Sequence, residues 1–276
     1  MNLFTEKNMK TNNSWESLEI FGTESQREIF VSSLQYDITG VENSNDSSTI
    51  YFNNINTQEC NKILEKSFID KWKWSNIKEE NWVQHCKDFF KPVIIDDKIQ
   101  IIPHWENTNS NYMNIKINPA LAFGTGHHET TYMMIQTMLR FNFKNKTIFD
   151  IGTGSGILSI LGSKLGADKI YAIDNDELTL NNFYENLSLN NIDNIEFDVK
   201  SCFDINDFNY DFIFANINLD VLLKLIPAIN TEGTIMFISG ILDTDRKIIV
   251  NALEKNNKKI KDVYQKKEWL CFTVEL

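Results

Sequence analysis

Apolar and polar positions alternate with a period of two through 14–21, and again through 37–43 and 47–53, so each stretch predicts a short strand. Asn43-Ser44-Asn45-Asp46 supplies turn chemistry between the last two. Between the first two, Thr23-Glu24-Ser25-Gln26 has capping-box form and opens a helix with Ile29, Phe30 and Leu34 on one face. A second helix starts near Asn56 or Thr57, with Glu59 in the capping position and Cys60, Ile63, Leu64 and Phe68 as its apolar face. Lys71-Trp72-Lys73-Trp74 alternates as a strand, its tryptophans expected to divide between core and surface. The succession β-α-β-β-α-β predicts a small ferredoxin-like α+β domain.

A linking helix follows over 79–92, where Trp82, Val83, Cys86, Phe89 and Phe90 form one stripe and Pro92 stops it. A hairpin is expected to turn at Asp96-Asp97-Lys98. Beyond it lies a long α/β region with strands expected near 113–117, 147–151, 169–173, 195–199, 210–215 and 234–238, and helices between most of them. Near-continuous apolar strands such as Phe212-Ile213-Phe214 imply a parallel, Rossmann-like sheet covered on both faces. Two closing strands, near 260–265 and 269–275, are placed to pair antiparallel.

Composition narrows the function. The 276 residues hold 27 Lys plus Arg against 38 Asp plus Glu, a formal net charge of −11. Phosphate neutralisation needs the opposite balance, so no stable nucleic-acid binding is expected. Cys60, Cys86, Cys202 and Cys271 form neither a CxxC pair nor a zinc spacing, which fits reduced thiols. With charged residues such as Glu6, Lys7 and Lys10 breaking the first thirty positions and no bilayer-length apolar run, the expectation is a cytoplasmic monomer without membrane attachment.

The strongest chemical signal is Asp150-Ile151-Gly152-Thr153-Gly154-Ser155-Gly156, between a buried strand and a helix. A dinucleotide fingerprint needs glycine where Ile157 stands. The spacing suits an adenosyl group without a pyrophosphate, held on Gly152 and Gly154. Asp174 ends the next strand at about the twenty-residue distance of a ribose-binding carboxylate, its bland alternative being a helix cap. Together these features favour S-adenosylmethionine over NAD. Asn216 closes Phe214-Ala215-Asn216-Ile217-Asn218, where its carbonyl could orient an amine; capping a helix near Asn218 would explain only one of the two asparagines. The two prolines and the aromatic found at this point in adenine- and glutamine-directed methyltransferases are absent.

Further runs carry a family resemblance: Ile117-Asn118-Pro119-Ala120-Leu121-Ala122-Phe123-Gly124-Thr125-Gly126-His127-His128-Glu129-Thr130-Thr131, Glu80-Asn81-Trp82, Phe90-Lys91-Pro92, Pro103-His104-Trp105 and Glu268-Trp269. Over residues 80–276 the chain resembles the PrmA family, methyltransferases of large-subunit ribosomal protein eleven. The resemblance implies a class I S-adenosylmethionine-dependent methyltransferase that methylates lysine side-chain and N-terminal amines of that protein. It also implies a substrate-recognition domain at 1–78, a linker at 79–92 and a methyltransferase domain at 93–276. It places Thr131, Gly152, Asp174 and Asn216 on the cofactor, with Phe123, Gly124, Thr125 and Gly126 folding over it. Asn218 stands where the family has a larger or apolar residue.

Rival expectations are an RNA or other amine methyltransferase of the same fold, and a non-catalytic cofactor-binding assembly factor. No metal site is expected, because adjacent His127 and His128 cannot converge from one helix face. Glu129 fits a first-turn acid favoured by the helix dipole. Lys258-Lys259-Ile260-Lys261 is expected to be a solvated face.

Overall fold

The computed structural model describes residues 14–276 apart from 24–25, 28–29, 32–33, 35–37, 45, 53–54, 79–89, 119–125 and 127. The chain divides into two compact units, Met1–Phe89 and Phe90–Leu276. The expected linking helix falls largely outside the described residues.

In the first unit, strands β1 (Ser14–Phe21), β2 (Ile38–Asn43), β3 (Ser47–Phe52) and β4 (Lys71–Lys78) form one antiparallel sheet in the order β2-β3-β1-β4. Helix α1 (Thr57–Leu64) begins after Asn56, whose side chain accepts from the Glu59 N–H. The Thr23 box forms: Thr23 N donates to Gln26 Oε1 at 2.9 Å, and Gln26 N to Thr23 Oγ1 at 3.4 Å. Leu18, Ile20, Ile50, Phe52, Cys60 and Leu64 make the core.

Two expectations need correction here. Phe68 does not belong to the buried helix face. The N–H and hydroxyl of Ser67 both bond the Leu64 carbonyl, closing the turn that ends α1 and leaving Phe68 77% exposed. Nor do the tryptophans divide: two residues apart on β4, they share a face, and both pack on the core. Trp74 Nε1 also donates to Asn61 Oδ1 at 2.8 Å.

The second unit starts with β5 (Val93–Ile95), β6 (Ile99–Pro103) and β7 (Met113–Ile117), a separate sheet in that order. Asp96 and Asp97 turn the first hairpin in the left-handed region. Strand β7 pairs parallel to β6 and is no part of the large sheet, contrary to expectation. It packs on helices α3 (Ile157–Lys164) and α4 (Thr179–Asn190), and side chains of α4 occupy its backbone hydrogen-bonding groups.

The large sheet comprises β8 (Thr147–Ile151), β9 (Lys169–Asp174), β10 (Ile195–Val199), β11 (Phe212–Asn216), β12 (Ile235–Leu242), β13 (Lys259–Lys266) and β14 (Trp269–Glu275). Their order is β10-β9-β8-β11-β12-β14-β13, with the first five parallel and β14 antiparallel to both neighbours. Alternation explains the apolar runs. Phe212 and Phe214 enter one core with α2 (Glu129–Met138), α3 and α4; Ile213 and Ala215 enter the other with α5 (Leu219–Leu225) and α6 (Arg246–Lys255). Phe214 stacks on Phe237 of β12 at 5.5 Å and 8°. In the basic run near 258, Lys259 and Lys261 are exposed as expected, while Lys258 and Ile260 are partly buried. Lys258 donates to the Ile229 carbonyl, Lys261 bonds Glu275, and Ile260 packs on the core. Among the described residues no helix is long and apolar enough to cross a membrane.

Candidate active site at the carboxyl ends of the central strands

The chain runs outward from β8 to β9 and β10, then returns to β11 on the other side of β8. At such a switch point the strand ends diverge and open a crevice. Gly152 follows β8, and Asn216 ends β11.

The glycine loop is shaped by its backbone. Gly152, Gly154 and Gly156 have φ of +70°, +54° and +80°, the left-handed region that side chains disfavour. Space reinforces the choice, since a Cβ on Gly152 would lie 2.4 Å from Ile217 Cγ2 and one on Gly156 2.8 Å from the Phe183 ring. Gly152 N and Thr153 N both donate to the Ile173 carbonyl, fastening the loop to the end of β9.

Asp174, nine-tenths buried, accepts from Gly154 N at 2.8 Å through Oδ2 and from Asp176 N at 3.1 Å through Oδ1. It does not cap α4, which starts five residues later at Thr179. A carboxylate offers about four lone-pair sites, so two backbone donors leave acceptor capacity for a diol.

Asn216 Nδ2 donates to Thr131 Oγ1 over a long 3.4 Å. Its Oδ1 is buried and meets no donor among the described residues. A buried carbonyl without a partner costs about 1–3 kcal/mol, which suits an acceptor meant for a ligand N–H. Asn218 does something different, since its side chain accepts from Val221 N at 3.0 Å and caps α5.

Thr131 is fully buried on α2, whose start is held from two sides. His128 is the N-cap, its ring accepting from Thr130 N and standing edge-on to Trp269 at 5.0 Å. Glu129 bonds Lys267, and that hydrogen bond above all holds its carboxyl below the usual range.

The predicted residues therefore meet in two linked groups. Gly152, Gly154 and Asp174 surround the loop, Thr131 and Asn216 form a pair, and Ile217 against Gly152 joins them. Gly126 has φ +85° and is buried on β6, where a Cβ would meet Ile101 Cδ1 at 2.5 Å. Phe123, Gly124, Thr125 and His127 lie outside the described residues.

Sequence reasoning missed two residues. Asp150 is fully buried; its Oδ2 accepts from the Thr153 hydroxyl at 2.6 Å and the Ser159 hydroxyl at 2.7 Å, while Oδ1 has no partner among the described residues. Burial pushes its carboxyl up to about 6, against the pull of the two hydroxyls and with help from the Asp174 charge. An acid ending an apolar strand was the available signal. Gly240, with φ +85°, sits at an irregularity of β12 where a Cβ would come 2.3 Å from the Ile217 carbonyl oxygen. A glycine inside a strand was its signal.

The arrangement has known relatives. A family model described as ribosomal protein L11 methyltransferase (PrmA) matches residues 4–276. A ribosomal protein L11 methyltransferase of Clostridium perfringens is 37% identical over 204 residues, covering 72% of this chain and 65% of that protein. The match thus spans just under two thirds of the Clostridium relative. One from Prochlorococcus marinus (strain MIT 9515) is 34% identical over 274 residues, 90% of each chain. The crystal structure of a ribosomal protein L11 methylase from Lactobacillus delbrueckii subsp. bulgaricus is 31% identical, with a TM-score of 0.63 over 67% of this chain and 98% of that one. The sheet order and this likeness give the second unit the class I methyltransferase fold. Matched by the family model from residue 4 to the last residue, and identical to such relatives at more than a third of the aligned positions, the chain belongs to the ribosomal protein L11 methyltransferase (PrmA) family.

Proposed function

We propose that this protein binds S-adenosylmethionine and transfers its methyl group to lysine side-chain and N-terminal amines of ribosomal protein L11. The observation that carries the reading is the buried carbonyl of Asn216, which has no partner among the described residues and is fixed from behind by Thr131. When bound, S-adenosylmethionine supplies a methyl group already activated by a sulfonium.

The chain's residues then bind and align. Asp174 accepts from the ribose hydroxyls. Gly152 and Gly154 bring backbone close to the ligand, where a side chain would stand in the way. The Asn216 carbonyl accepts an amine N–H, so the nitrogen lone pair is aimed rather than free to turn. Thr131 keeps the carboxamide from rotating. Phe123, Gly124, Thr125 and Gly126 are assigned to the cofactor by the family motif.

No side chain of the Asn216–Thr131 pair is basic, so the amine loses its proton to water before transfer. Presenting a neutral lysine at pH 7 costs about 4.6 kcal/mol from an ordinary pKa near 10.4, whereas an α-amine costs about 1–1.4 kcal/mol. Burial beside a positive sulfonium lowers both figures.

Residues 1–78 are assigned to a ferredoxin-like substrate-recognition domain, 79–92 to a linker and 93–276 to the methyltransferase. The antiparallel order β2-β3-β1-β4 supports the first assignment. The protein is assigned to the cytoplasm as a monomer acting on protein rather than nucleic acid, as its net charge of −11 favours.

The test is incubation with labelled S-adenosylmethionine and purified L11, followed by mass spectrometry, with S-adenosylhomocysteine affinity measured separately for the wild type and Asn216→Ala. Label on L11 amines that the variant loses while still binding ligand is the expected result. Tight binding with no transfer by the wild type would leave a non-catalytic assembly factor; label on RNA would move the enzyme to another substrate.

A further inference from the structure

Helix α4 carries asparagine at 182, 186 and 190, and all three side chains are buried. Asparagine is a poor helix-interior residue, and a buried carboxamide demands partners. The partners are backbone groups of β7 and the residue that follows it. Asn190 accepts from Lys116 N at 3.0 Å and donates to Lys116 O at 2.6 Å. Asn186 accepts from Asn118 N at 2.7 Å, and Asn182 donates to Asn118 O at 3.1 Å. The match is one of repeats: four helical residues rise about 6.0 Å and two strand residues about 6.6 Å. Carboxamides every fourth residue therefore meet peptide groups every second residue, and α4 serves β7 as a neighbouring strand would.

Asn186 alone of the three also reaches the glycine loop. Its Nδ2 donates to the Ser155 carbonyl at 2.8 Å, and its other N–H to Asn182 Oδ1 at 3.3 Å. Ser155 lies between Gly154, which bonds Asp174, and Gly156, which caps α3. The partners fix the amide's orientation, with the NH2 toward a carbonyl and the oxygen toward an N–H.

We propose that Asn186 is a positioning residue for methyl-donor binding: one carboxamide that locks the glycine loop to the chain at Asn118. Asn190, with the same chemistry toward β7 and no bond to the loop, is a structural clamp. The inference rests on the methyl-donor reading above.

The experiment compares Asn186→Asp with Asn190→Asp at pH 8. Each keeps size and acceptor but turns an oxygen toward a carbonyl that had received a hydrogen bond. Thermal midpoints are measured without ligand, and S-adenosylhomocysteine affinity by calorimetry. Both variants lose stability. Asn186→Asp weakens binding about tenfold or more, as an opposed buried hydrogen bond should, while Asn190→Asp stays within about twofold of wild type. Equal effects of the two variants on affinity, or none, overturn the proposal. A wild type that does not bind S-adenosylhomocysteine overturns the methyl-donor reading itself, and the inference with it. Should Asn186→Asp fail to fold, amide exchange in the unmodified protein decides. The ligand slows exchange of the Asn118 amide, which Asn186 holds, more than that of Lys116, which Asn190 holds; equal responses overturn the coupling.

Discussion

The carboxamide of Asn216 donates to the Thr131 hydroxyl at 3.4 Å, and the geometry leaves its carbonyl oxygen buried without a donor among the described residues. One residue ends a central strand and the other lies on the first turn of α2, so the acceptor's direction depends on how a helix sits against the sheet. Thr131→Val keeps the shape and removes the acceptor. The freed amide is expected to turn, lowering kcat about tenfold with a smaller change in cofactor affinity. Steady-state methyl transfer to L11, measured beside ligand titration, checks the split.

Gly152→Ala faces two penalties that separate experimentally. A left-handed backbone costs a residue with a side chain about 1–2 kcal/mol, whatever the space around it. The new Cβ also meets Ile217 Cγ2 at 2.4 Å. Adding Ile217→Ala relieves the second and not the first. In a double-mutant cycle read by denaturant unfolding, the pair should therefore couple by about 0.5–3 kcal/mol. Simple additivity would mean the loop has moved away from Ile217.

Asp150 titrates near 6 when folded, raised from 3.8 mainly by burial. Between those values the folded chain binds more protons than the unfolded one, so this group's contribution to stability falls as pH rises through the window. Asp150→Asn abolishes the titration and still offers an oxygen to the Thr153 and Ser159 hydroxyls. Relative to wild type, the variant's melting temperature should rise between pH 4 and pH 7. An offset that stays constant with pH would show that the folded carboxyl titrates as the unfolded one does, unshifted by burial.

Asn218 and Asn216 stand two residues apart with different roles. Removing the cap with Asn218→Ala should cost about 1 kcal/mol, a fall in Tm of about 2–4 °C for a unit of this size. Turnover per folded molecule should hold, in contrast to Asn216→Ala. A parallel collapse of turnover would place Asn218 in the amine pocket.

Deprotonation before transfer makes an external prediction. Methylation of lysine under subsaturating L11 should climb about tenfold per pH unit from 6 to 8, while the N-terminal amine levels off near its lower pKa. Mass spectrometry resolving the two sites gives both profiles from one reaction. Flat profiles from pH 6 to 9 would demand a base in the pocket.

Much of the site was legible because it is local. The loop from Gly152 to Gly156, Asp174 at its strand end and Asn216 at another each depend on spacing within a few residues of an apolar strand. Asp150 opens the loop motif, yet spacing reveals no role for it, because its burial, and an oxygen that meets no partner among the described residues, arise only when the layers close over it. Phe68 and the two tryptophans show a similar limit. Periodicity gave their spacing, but where a helix stops and which face a core takes depend on contacts elsewhere in the chain.

The amino-acid sequence by itself determined the kinds of element, the glycine loop, the acceptors that follow it and the net acidity, since all of these arise from neighbouring residues. Tertiary structure alone decided that β7 stands apart from the large sheet and is held by asparagines more than sixty residues away. It alone turned Asn216 toward Thr131 and pressed Ile217 against Gly152. The reason is that a hydrogen bond or an excluded Cβ acts over a few ångströms of space, and such distances between remote segments come into being only when the chain has folded.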